Sequence, residues 1–167
     1  MKSLFLVVFV FLTACGSENT EFDKQRKEQV NTKFMETIEL FKDKKKQYSK
    51  FLASNYLGTE NGSSKNNQSI ITFNTNTHIE IFNALLSMKS LCNSINSERN
   101  FKCKLVSMVY DSHNDDSLET LNVDTDSPEY EKYKNGEEVN ELYEFKFLYY
   151  DLMSTASFYE NNFRLSL

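Results

Sequence analysis

Residues 4–12, from Leu4 to Leu12, form an unbroken apolar run of nine. Lys2 precedes the run, and the small residues Thr13, Ala14, Gly16 and Ser17 surround Cys15 after it. The run is far below the roughly 20 apolar residues that span a bilayer as a stable helix. Positive start, apolar core and small residues together make the three-part layout of an export signal. That layout constrains the rest of the chain, because a segment that is removed contributes nothing to the core. The folded domain is then built from the residues beyond Cys15.

The motif Leu12-Thr13-Ala14-Cys15 resembles the lipobox of bacterial lipoprotein precursors. The resemblance implies cleavage before Cys15, a diacylglycerol thioether on its sulfur and acylation of its new amino group. One acyl chain holds a protein only marginally, at about 0.8 kcal/mol per buried methylene, whereas several hold it durably. The implied organisation is a signal peptide over 1–14, a lipidated tether over 15–19 and a single domain over 20–167. The implied partner is a membrane, through the acyl chains on Cys15. Gly16 stands where an Asp would favour inner-membrane retention. The resemblance therefore favours the outer membrane, facing the periplasm, or the outer face of the single membrane of a Gram-positive cell.

Removal of 1–14 leaves 153 residues with a net charge of −6, against −5 for the whole chain. This mild acidity argues against the basic footprint of a nucleic-acid protein. The length suits one domain with a modest core. Cys92 and Cys103 are the remaining cysteines. An exported protein meets an oxidising environment, where thiols pair, so a Cys92–Cys103 disulfide is expected.

Val30, Phe34, Ile38, Phe41, Tyr48 and Leu52 recur at helical spacing and predict a long helix over 20–57. Thr20 would cap its start and Gly58 its end. The lysines of 42–46 read as a solvated helix face with i,i+4 pairing. Residues 58–69 read as a polar loop and 70–73 as a short extended piece. Thr77 and Glu80 form a capping box that opens a second helix over 77–95, with His78 exposed in its first turn. Residues 101–105 alternate with period two and 106–110 continue as apolar, β-prone sequence, so the segment reads as a strand, with 118–123 as its partner.

Residues 124–138 read as an acidic loop. In 143–150, Tyr143, Phe145, Phe147 and Tyr149 alternate with their neighbours, and aromatic content favours a strand. Leu142, Phe145, Tyr149 and Leu152 also fit a helical period, so both readings stand. Residues 156–167 would return antiparallel. The resulting expectation is an α+β fold, with two helices packed on one face of a small antiparallel sheet of about four strands. The disulfide would staple the second helix to the first strand.

Chemistry-bearing motifs are sparse. Residues 111–116 gather Asp111, His113, Asp115 and Asp116. The EF-hand pattern fails there, because its sixth and twelfth positions hold Asp116 and Asn122 rather than Gly and Glu, so the segment reads as a turn. No Gly-x-Ser-x-Gly elbow and no Gly-rich phosphate loop occurs. The expectation is no catalytic residue, no metal ligand and no cofactor.

Asp124, Asp126, Glu129, Tyr130, Tyr133, Glu137 and Glu138 are the candidate partner-binding residues. Their charge suits a basic partner, and Tyr is an efficient interface residue. The sequence thus points to a non-catalytic envelope lipoprotein that binds a protein partner. A periplasmic immunity or inhibitor protein directed at a toxin or hydrolase is the first alternative. An envelope hydrolase or metal-binding protein is the second.

Overall fold

A computed structural model describes the backbone of residues 3–56, 64–95 and 100–164, and the side chains of 21–54, 69–95 and 100–158. It is all helical. The helices are α1 (Ser3–Tyr56), α2 (Ser64–Asn93), α3 (Phe101–Asn114), α4 (Pro128–Lys134) and α5 (Glu141–Arg164), with one 3₁₀ turn at Glu119–Leu121. No strand occurs among the described residues, which overturns the expected α+β fold and its antiparallel sheet. The Cys15 side chain, Gly58 and residues 165–167 lie outside the described residues.

The α1 stripe reads as the sequence predicts. Val30, Phe34, Ile38, Phe41 and Tyr48 are all buried. The helix is longer than expected at its start, because it runs through Thr20 without a cap. Lys44 and Lys45 depart from the solvated face expected of the lysine cluster. Lys44 is buried and pairs with Glu80 of α2 at 2.6 Å, and Lys45 reaches α5.

In α2 the buried positions are Ile70, Asn74, Thr77, Ile81, Leu85, Met88 and Cys92. Their steps of three and four continue one helical seam through the segment read as loop, extended piece and capping box. Thr77 therefore lies buried inside the helix rather than at its cap. Across the same seam, the buried Thr37 of α1 donates to the Met88 sulfur at 3.1 Å. Two polar residues in the α2 seam, Asn74 and Thr77, hide its period in the sequence.

Helix α3 replaces the first expected strand. Asn100 caps it, with its side chain accepting from the N–H groups of Lys102 and Cys103. Cys103, Val106 and Val109 face inward at helical spacing. The second expected strand is the 3₁₀ turn, which buries Leu121 and exits through Asn122 at φ +46°. The acidic loop contains α4, started by a Ser127 cap and by Pro128, whose fixed φ suits a first helical turn. Helix α5 replaces the third and fourth expected strands. Asn140 caps it, accepting from the Leu142 N–H at 2.9 Å.

Helix α1 packs against α2 and α5, α2 against α3, and α4 lies on α5. Phe145 is the centre of the core. Its ring stacks on Phe34 at 4.5 Å and meets Phe41 at 5.1 Å. The Cys92–Cys103 disulfide is present, with the Cα atoms 5.5 Å apart. It joins the end of α2 to the start of α3, a helix rather than the expected strand.

Candidate functional site

The acidic segment divides its residues between two directions. Asp124, Asp126, Glu137 and Glu138 are exposed, and Glu129 is half-buried. Asp124 accepts the Asp126 N–H at 3.0 Å, which shapes the turn before Ser127. Tyr130 and Tyr133 instead turn inward from α4. The Tyr130 ring meets Phe147 edge-on at 5.0 Å, and Tyr133 meets it at 5.5 Å.

Both hydroxyls converge on Asp151 of α5. Tyr130 donates to it at 2.5 Å and Tyr133 at 3.2 Å. The Lys45 ammonium lies 2.7 Å from the same carboxylate and 2.8 Å from the Tyr133 oxygen, with Lys134 at 3.5 Å. Asp151 is itself buried. Burial alone would raise its carboxyl, but hydrogen bonds from Lys45 and Tyr130 and the nearby ammonium charges hold it below the ordinary value. Burial and the neighbouring carboxylate push both tyrosines up, so they remain protonated donors at any physiological pH. The carboxylate is saturated with donors, and its geometry is that of a clamp between α1, α4 and α5. Sequence pattern alone does not single out Asp151 or its partnership with Lys45. The available signal is a lone acid inside the aromatic run Phe145 to Met153.

A second polar cluster joins α2, α3 and α5. His113 Nδ1 lies 3.0 Å from the hydroxyl of buried Tyr149. Its ring lies 5.1 Å from the ring of His78, and Phe82 closes one side at 6.2 Å. The two histidines of the chain therefore meet, and His78 is half-buried within α2 rather than exposed in a first turn. Burial lowers the His113 pKa, the His78 charge adds to the effect, and the His78 backbone carbonyl and Asp116 oppose it. A neutral imidazole with its proton on Nε2 accepts the Tyr149 hydroxyl proton at Nδ1, whereas a protonated imidazole can only donate.

The segment 111–116, expected as a turn, is instead the last turn of α3 through Asn114 followed by Asp115 and Asp116, and its side chains are split between unlike partners. Asp111 pairs with Lys89 at 2.8 Å, His113 points to Tyr149, and Asp116 adopts φ +51°. An open groove of about 530 Å³ lies beside α1, lined by residues that include Asp23, Lys27, Ile95, Phe101 and Leu142. Among the described residues no helix is long and apolar enough to cross a membrane, and no three potential metal-binding side chains are grouped. No protein-family model, no curated protein and no solved structure matches this chain.

Proposed function

We propose that this chain is a membrane-anchored lipoprotein of the cell envelope whose helical domain binds a basic protein partner without catalysis. The anchor is Cys15, read from the Leu12-Thr13-Ala14-Cys15 motif. Gly16 favours the outer membrane, facing the periplasm. The observation that carries the binding reading is the division of the acidic segment. Its tyrosines are tied to Asp151, while Asp124, Asp126, Glu137 and Glu138 stay outside. A segment fixed in this way presents its charge with little ordering left to lose on binding. Helix rise adds a reason for the position. Lys45, beside the clamp, lies about 45 Å along α1 from Cys15 at 1.5 Å per residue.

Two measurements test the proposal. Cys15→Ser should give an unprocessed chain that takes up no labelled palmitate, and equal labelling of both chains would refute the anchor. Affinity capture from envelope extracts should recover a partner that is lost when Asp124, Asp126, Glu137 and Glu138 are changed to Lys. Undiminished capture would refute the binding face. The same fixed display of charge favours, as a second reading, an immunity or inhibitor protein that blocks a toxin or hydrolase. That reading requires the captured partner to be an enzyme or toxin that the purified domain inactivates.

A further inference from the structure

The most exposed large apolar side chain among the described residues is Phe101, at 73%. It opens α3, beside the groove that also contains Asp23, Lys27 and Ile95. Phe22, at 52%, lies on α1 one residue before Asp23. The Arg26 guanidinium sits 4.1 Å above the Phe22 ring and donates to the Ser94 carbonyl, one residue before Ile95. Lys104 lies 6.0 Å from the Phe101 ring. One corner of the bundle thus presents two phenylalanines, each with a cation over or near its face.

Along α1, this corner is the part of the domain closest to Cys15. Phe22 comes seven positions after Cys15 on the same helix, about 10 Å of rise. A domain tilted on an anchor this close can bring such side chains into the interface, where apolar faces settle about 5–10 Å deep. The charge of the corner also differs from that of the chain. Lys24, Arg26, Lys27 and Lys104 outnumber Glu21, Asp23 and Glu28, whereas the whole chain carries −5. Lys102 is already paired with Glu141 at 2.8 Å. Asp124 and Asp126 precede α4, which packs on α5, whereas Glu137 and Glu138 come just before Asn140 and Glu141 at the edge of the groove.

We infer that this corner docks on the lipid surface. Phe22 and Phe101 enter the interface of a bilayer containing anionic lipid, while Arg26 and Lys104 meet its headgroups. The inference rests on the proposed anchor at Cys15 and adds to it a fixed orientation of the domain. Aromatic rings favour the interface, and long cationic side chains keep their charge at its polar level while their stems cover apolar surface.

The chain has no Trp, so Phe101→Trp and Phe22→Trp each install a unique fluorophore at an exposed position. Ile79→Trp, on an exposed position of α2, is the reference. The full chain carrying each substitution is placed in vesicles of phosphatidylcholine and phosphatidylglycerol with brominated acyl chains. Docking gives blue-shifted, quenched emission for Phe101→Trp and Phe22→Trp but not for Ile79→Trp. Adding Lys104→Gln should lower the docked-to-undocked ratio by about fivefold, the equivalent of about 1 kcal/mol per cation at an anionic surface.

Equal quenching at all three positions, or none, overturns the inference. A blue shift that grows with protein concentration in the absence of vesicles also overturns it, and assigns the corner to a second copy. The mass of Cys15 reports the anchor separately. An unacylated Cys15 defeats the anchoring proposal, and absence of quenching with added vesicles then defeats the docking as well.

Discussion

The Lys45 ammonium and the Asp151 carboxylate meet at 2.7 Å across 106 residues of sequence. That one contact gathers α1, α4 and α5, because Tyr130 and Tyr133 donate to the same carboxylate. Asp151→Asn keeps the shape and removes the charge. It should cost about 1–3 kcal/mol, the range for weakening charge-assisted bonds at a buried group. Urea unfolding measures the loss. Hydrogen exchange should show α4 opening earlier than the rest of the fold.

The disulfide closes a short loop, with its cysteines 11 apart in sequence. The chain-entropy model gives about 2–3 kcal/mol for a loop of this size. Cys92→Ser with Cys103→Ser should lower the urea midpoint accordingly, with an unchanged helical circular-dichroism signal at neutral pH. Adding reductant to the unaltered protein should reproduce the loss, and adding it to the double variant should do nothing.

Stability should fall with acid in two stages. His113 is held below its ordinary value of 6.5, by burial and then by His78. The unfolded chain therefore takes up a proton more readily, and stability declines as the pH falls below about 6.5 toward the lower folded value. His113→Phe removes this stage. Asp151 is held below 3.8 by Lys45 and Tyr130 against its own burial. Its contribution is complete above that value and is lost as the pH drops through the folded one. Asp151→Asn removes the second stage and spares the first. Thermal melts between pH 3 and 8 test both assignments.

Phe145 sits between Phe34 and Phe41 with no exposed surface. Phe145→Ala should cost about 3–5 kcal/mol, from lost transfer energy and an unfilled cavity. Tyr143→Ala, which removes an exposed ring stacked on Phe147 at 5.6 Å, should cost about 1 kcal/mol or less. Chemical denaturation of the two variants distinguishes a helical α5 from a strand. In a strand, residues two apart would share a face.

The aromatic spacing in α5 also explains where the sequence misleads. Phe145 and Phe147 are both buried although they lie on different sides of the helix. Phe145 faces α1, and Phe147 faces Tyr130 and Tyr133 of α4. A helix packed on two sides buries residues at spacing two, and this imitates a strand. In α3 the imitation has another origin, because Phe101 completes the alternation with Cys103 and Leu105 yet is exposed. The α1 stripe and the cysteine pairing are legible, since each rests on a local pattern or a chemical constraint. The tyrosines of the acidic segment stand out in the sequence, but they serve the clamp. Asp151 is invisible there because its partners come from α1 and α4.

One rod, α1, carries Cys15 near one end and lies alongside α2 and α5 through the core. A pull applied at Cys15 therefore runs along the axis of a helix flanked by its neighbours. To leave the bundle as a helix it would slide lengthwise past Phe145 and Met88 together, and the load would then fall on many contacts at once. Such shear geometry spreads a pull over the whole seam instead of delivering it to one contact.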